Sequence, residues 1–212
     1  MIEAKVAALY VMPAGPYYGL PGVEPWGLPE RDARLYAGPW PVVAHPPCAR
    51  WGRYWFGGPM AAVHGKRKIK GADDGCFAAA LTSVRRYGGV LEHPADSWAW
   101  PFHGLAKPPR SGGWVAAGDG MGWTCCVEQG HYGHPARKAT WLYASHVRLA
   151  WLPALRWGSS GQRARLDDGF HTAAERRRAV KTGRCQRLSK RQRALTPIAF
   201  RDLLLSISRS VA

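Results

Sequence analysis

Apolar residues in this chain gather in short blocks rather than long amphipathic stripes. Lys5-Val6-Ala7-Ala8-Leu9-Tyr10-Val11 is a near-continuous apolar run stopped by Pro13-Ala14-Gly15-Pro16, the pattern of a strand covered on both faces and followed by a loop. Pro41 to Ala44 supplies another, which runs directly into His45-Pro46-Pro47-Cys48, where two prolines end the pairing and fix the loop. Asp73 and Asp74 then stand ahead of Phe77, Ala80, Leu81 and Val84, whose spacing predicts a capped helix ending at Gly88-Gly89. Gly89-Val90-Leu91-Glu92-His93-Pro94 repeats the strand-then-proline pattern, so the helix reads as a crossover. Trp123 to Gln129 and Ala139 to Ala144 read as two further strands, joined through a Gly- and His-rich loop as a hairpin. Residues 17–34 and 98–122 are rich in Gly, Pro and aromatics without helical period and read as loop. There is no internal repeat.

These elements predict an α/β, Rossmann-like domain with a mostly parallel sheet over residues 1–155. Beyond Arg156 the composition changes to Arg176-Arg177-Arg178 and Lys190-Arg191-Gln192-Arg193, which predicts a basic, partly helical extension over residues 156–212. At its end Thr196-Pro197 precedes Phe200, Leu203, Leu204 and Ile207 on one helical face, so the last helix is expected to pack back on the domain. The 212 residues suffice for one domain with an appendage.

A formal charge of +16 makes a polyanion the natural partner, and DNA the first candidate. Basic and aromatic residues mix between Ala49 and Lys70, which suits phosphate pairing and base stacking. The five cysteines lack disulfide-framework spacing, which points to a reducing cytoplasm and no disulfide-linked partner. No run approaches a membrane span of about 20 residues, so no membrane partner is expected.

The candidate chemistry lies where strands break at proline. The carboxyl ends of parallel strands are where open α/β sheets place ligands, and two neighbouring ends carry Cys48 and Glu92. A cysteine thiolate can add to carbon 6 of a pyrimidine when an acid engages ring nitrogen 3, leaving carbanion character at carbon 5 for an electrophilic one-carbon donor. Arg50, Arg53 or His45 would have to depress the thiol pKa. Cys125, Cys126, His131 and His134 form a rival, zinc-like cluster, but adjacent cysteines on a strand face opposite ways and no Cys-x-x-Cys is present. They are read as core and loop residues, with no metal site.

Taken together, Pro46-Pro47-Cys48, Leu91-Glu92-His93-Pro94 and Tyr132-Gly133-His134-Pro135-Ala136-Arg137-Lys138 resemble, in order and rough spacing over about residues 5–145, three blocks of the cytosine-5 DNA methyltransferases. The chain is also similar to small phage-encoded, methyltransferase-like proteins that carry His-Pro-Pro-Cys. The resemblance implies a DNA (cytosine-5)-methyltransferase-like transferase in the cytoplasm of a bacterial host, with Cys48 as nucleophile and Glu92 activating the ring. It implies S-adenosylmethionine as cofactor, held by Gly15, Tyr17, Glu24, Asp32 and Pro46. Nucleic acid would be bound by Arg50, Arg53, Lys66, Arg67, Lys68, Arg137 and Lys138. The family's first, glycine-rich motif is poorly matched by Val11 to Gly19, and only about twenty residues separate the first strand from Asp32, so the cofactor half is shortened. Two other readings stand beside this one: a basic DNA-binding phage protein without a cofactor, and a pyrimidine-modifying enzyme using another donor. An exocyclic-amine methyltransferase is disfavoured, because cysteine occupies the place of its base-stacking aromatic.

Overall fold

The computed structural model describes residues 5–57, 61, 63–66, 68–162, 164–165, 172–183 and 188–211. Its centre is a seven-stranded mixed sheet. Strands β1 (Val6–Leu9), β2 (Val23–Trp26), β3 (Val42–Ala44) and β4 (Gly89–Pro94) are joined in parallel, with β1 between β2 and β3. Between β3 and β4 runs helix α1 (Cys76–Tyr87); after β4 come the single turn α2 (Ala99–Phe102) and the two-residue strand β5 (Val115–Ala116). The sheet is completed by β6 (Gly122–Glu128) and, after the short β7 (Ala136–Arg137), by β8 (Ala139–Ser145). Strand β8 lies antiparallel between β4 and β6, giving the order β2-β1-β3-β4-β8-β6-β5. The expected hairpin is therefore present.

Both faces of the parallel part are covered, which explains its unbroken apolar runs. Because side chains alternate along a strand, Ala7, Leu9, Val42, Ala44 and Leu91 face one way and pack with Phe77, Ala80, Leu81 and Val84 of α1. Val6, Ala8, Val43 and Val90 face the other way, onto Phe200, Leu204, Leu205 and Ile207. Those four belong to the last helix.

In the extension, β9 (Ala164–Arg165) pairs with β7, and α3 (Ala173–Lys181) and α4 (Lys190–Ala194) each begin with a capping box, at Thr172/Glu175 and Ser189/Gln192. The last helix, α5 (Ile198–Arg209), starts behind Pro197 with no side-chain cap, so Thr196 does not play that part. Residues 198–209 form one wall of the main core, with the Ser208 hydroxyl donating to the Val42 carbonyl at 2.9 Å.

Strand β2 was not expected from sequence, nor were the single turn α2 and strand β5 within residues 98–122, which read as loop. Residues 23–26 form an edge strand despite Pro25, which is tolerated because the unpaired side of an edge needs no donor. In keeping with the lack of helical period in residues 17–34, no helix links β1 to β2 or β2 to β3; among the described residues these crossovers hold only turns and one 3₁₀ turn, Ala33–Leu35. Gly88 and Gly89 end α1 as read from sequence. A Cβ on Gly89 would lie 2.0 Å from the Val42 carbonyl oxygen, so the close approach of β4 to β3 requires glycine there.

Phe200→Ala or Leu204→Ala should cost about 2–5 kcal/mol in urea unfolding, the usual cost of emptying a buried site. Truncation after Leu195 should abolish the cooperative transition, since it would bare the α5-facing side of β1, β3 and β4. A truncated chain that still unfolded cooperatively would show that α5 is dispensable to the core.

Candidate functional site

Strand register brings the site together. Ala44 pairs with Leu91, so His45, the first residue past β3, comes beside Glu92, which is still within β4 and paired with Leu142 of β8. His45 stays in line because its backbone N–H donates to the Leu9 carbonyl at 3.1 Å. Pro46 is buried and Pro47 exposed, and the chain then turns over Cys48, whose carbonyl accepts from the N–H groups of Trp51 and Gly52. Cys48 is exposed. It stands at the carboxyl ends of the strands next to the point where the order reverses around β1, the position that open α/β sheets use for ligands.

Glu92 is buried and holds a chain of polar groups. His45 Nδ1 lies 2.9 Å from Glu92 Oε2, and the Tyr17 hydroxyl lies 2.8 Å from His45 Nε2. On the other side Gln129 Nε2 donates to Glu92 Oε1 at 3.0 Å and to Thr140 Oγ1 at 2.9 Å. Burial would raise the carboxyl pKa, but the His45 hydrogen bond and the charge of Lys138 outweigh it and hold Glu92 down to about 2. Since a carboxylate only accepts, Nδ1 carries the imidazole proton that Glu92 receives.

The expected depression of the Cys48 pKa is not found. Desolvation and the negative charge of Glu92 raise it, with Lys138 acting in the opposite sense. Arg50 is spent on the loop itself, donating from Nη1 to the Trp55 carbonyl at 3.1 Å. The resting residue is therefore a thiol. Lys138 is buried beside the site, its backbone N–H bound to Glu128 and its Nζ donating to the Leu195 carbonyl at 3.1 Å, which ties the chain after α4 to the Cys48–Glu92 pair.

The residues assigned by resemblance to S-adenosylmethionine take part in contacts of the fold itself. Tyr17 is only 2% exposed and its hydroxyl serves His45. Glu24 pairs with Arg31 along β2, and Asp32 caps the 3₁₀ turn and pairs with Arg34. Gly15 sits in a turn, its N–H on the Met12 carbonyl, with no helix behind it to present backbone donors. Pro46 is part of the Cys48 loop. Each of the four polar or glycine positions among these five is thus engaged in a contact of the fold itself.

Among the nucleic-acid candidates, Arg53, Lys66 and Lys68 are exposed on the loop after Cys48, and Arg67 lies outside the described residues. Arg137 is half-buried and its backbone pairs β7 with β9. His134 is fully buried, with Nδ1 accepting from the Ala136 N–H at 3.0 Å, and His131 Nε2 meets the Trp157 carbonyl at 3.2 Å, so both serve loop backbone. Cys125 and Cys126 pack on opposite sides of the sheet. Among the described residues no three His, Cys, Asp or Glu side chains are grouped to hold a metal, and the four described cysteines are free thiols. No helix there is long and apolar enough to cross a membrane. Gln129 was not foreseen as a site residue, since a single polar residue at a strand end carries no distinguishing sequence signal.

His93, next to Glu92, points the other way, fully buried against the rings of Phe77 and Trp100, with neither ring nitrogen hydrogen-bonded. Desolvation lowers its pKa to about 4 against the pull of Glu92. The native state thus excludes a proton that the unfolded chain binds below about 6.5. Stability is whole above that value and falls as pH drops toward 4. His93→Phe should remove this loss, leaving stability at pH 7 within about 1 kcal/mol of the parent and raising it at pH 5. Urea titrations at both pH values check this; an unchanged slope between them would place the titration elsewhere.

No known protein-family model, curated protein or solved structure matches the chain.

Proposed function

We propose that the protein is a nucleic-acid base-modifying enzyme that works at carbon 5 of a pyrimidine, most simply cytosine in DNA, through a transient Cys48 adduct. One observation carries this reading: an exposed thiol and a buried, ionised carboxylate issue from neighbouring parallel strands at the sheet's ligand-binding end, with a cation acting on both. The likeness to the cytosine-5 DNA methyltransferases and the Rossmann-like order of strands around β1 support it. The charge of +16 supports DNA as partner.

The chemistry follows from the resting states. Cys48 sulfur bonds to carbon 6 of the pyrimidine, the thiol hydrogen passes through water to ring nitrogen 3, and the ring double bond shifts to leave an electron-rich carbon 5. Glu92, already a carboxylate, accepts a hydrogen bond from the new N3–H and so stabilises the charge that develops there. His45 and Gln129 hold its two oxygens in place. Lys138 favours the thiolate as it forms. Carbon 5 then bonds to the carbon of a one-carbon donor as the donor's leaving group departs with its electron pair. The original carbon-5 proton passes to water, and the Cys48–carbon 6 bond breaks as the N3 proton returns through water to sulfur, restoring the aromatic ring and the thiol. No step is assigned to S-adenosylmethionine, whose expected ligands are engaged in contacts of the fold.

A second reading, a basic nucleic-acid-binding protein without chemistry, is favoured by the raised thiol pKa and by the pairing of Glu24 and Asp32 with arginines. The two separate without a donor. In heavy water, reversible addition of Cys48 exchanges the carbon-5 hydrogen of cytosine for deuterium, which mass spectrometry of an incubated oligonucleotide reads directly. Exchange should be seen with the parent protein, vanish with Cys48→Ser, and fall about 10²-fold or more with Glu92→Gln, the order of a lost charge-stabilising group. Absence of exchange with the parent would sink the enzymatic reading.

A further inference from the structure

The two loops that leave the site carry more exposed aromatic surface than folding explains. After Cys48, Trp51 turns inward, 2% exposed, with its indole N–H donating to Asp73 at 2.7 Å, whereas Tyr54 remains 47% exposed. After Glu92, Trp98 is 49% exposed and Phe102, at the end of α2, is 70% exposed. The Trp98 N–H donates to the Trp51 carbonyl at 2.9 Å, and Phe102 packs on Trp51 at 5.2 Å between ring centroids, so the two loops form one surface. Lys70 joins them: its ammonium lies 4.0 Å from the Trp98 ring centroid and 5.3 Å from that of Trp55. Lys66 and Lys68 are exposed on the same loop.

Isolated exposed apolar residues need no explanation, but this group is neither isolated nor purely apolar. Large flat rings surround an ammonium group on the loop that carries Cys48. A protein partner or a lipid surface would use the rings; a polynucleotide, with base faces and phosphates, uses both the rings and the charges. A duplex hides the faces of its bases, so the rings can act only where bases are unstacked.

We propose that Tyr54, Trp55, Trp98 and Phe102, with Lys70 between them, form a stacking platform for single-stranded nucleic acid that leads a strand to Cys48. This rests on the base-modifying reading for its purpose, but binding is measurable without chemistry. The platform predicts preference for an unpaired strand over a duplex of the same sequence. It also divides the work: the rings supply affinity insensitive to salt, while the lysines supply the salt-dependent part.

The test uses the full chain and a cytosine-containing DNA strand of about 20 nucleotides, single or annealed to its complement, followed by fluorescence anisotropy across a salt series. The parent should favour the single strand by about tenfold or more. Trp98→Ala should weaken single-strand binding by about tenfold or more, the value of one lost base stack, with the slope against log salt unchanged. Lys70→Gln should instead flatten that slope by about one unit. Circular dichroism and urea midpoints of both variants should match the parent, and Trp98→Phe should restore most of the affinity. Equal affinity for single strand and duplex, or a Trp98→Ala variant that is folded and binds like the parent, would overturn the platform. Failure of deuterium exchange with single-strand preference intact would remove the enzymatic reading and leave the platform standing.

Discussion

The contact on which the site depends is the hydrogen bond between His45 and Glu92 across the ends of β3 and β4. A carboxylate removed from water is costly unless its oxygens are satisfied. Here one oxygen is held by His45 and the other by Gln129, and each of those is held in turn, by Tyr17 and by Thr140. The row runs from the loop after β1 to strand β8, so five separate parts of the chain must be in register for one charge to be stable. Cys48 gains its fixed position from the same arrangement, because the prolines that orient it directly follow His45.

Much of this frame was legible in the sequence. Valine-rich runs ending at proline marked β1, β3 and β4, and the Phe77 to Val84 spacing marked α1, because parallel strands and their covering helix have strong, separate periodicities. The adjacency of Cys48 and Glu92 followed from two similar strand endings. Strand β2 escaped because four residues with a proline among them carry almost no pattern, and its place in the sheet comes from pairing with β1 alone. The capping boxes of α3 and α4 were present as Thr172-Ala-Ala-Glu175 and Ser189-Lys-Arg-Gln192, masked by the surrounding arginines.

The site was legible in its residue types but not in its electrostatics. Tyr17 was read as a cofactor ligand because it follows the first glycine loop; its burial against His45 depends on a fold-back that no local pattern encodes. Arg50, Arg53 or His45 was read as the group to acidify the Cys48 thiol, yet desolvation raises its pKa and the charge that adds to this is Glu92, a residue 44 positions away in sequence and one strand away in space. Sequence proximity favoured the arginines, and strand pairing favoured the carboxylate. The strands prevail because a buried charge is screened less than an exposed one.

Helix α5 closes the sheet and the segment just before it holds Lys138, so the site is finished by residues that leave the ribosome after every other part of it has been made. Until residues 195–209 emerge, β1, β3 and β4 have one uncovered apolar side, and the Lys138 ammonium lacks the carbonyl that fixes it. A growing chain can therefore carry Cys48 and Glu92 for some 100 residues of synthesis without presenting an assembled thiol–carboxylate pair. Assembly of the pair is thereby coupled to the completion of the fold rather than to the appearance of Cys48.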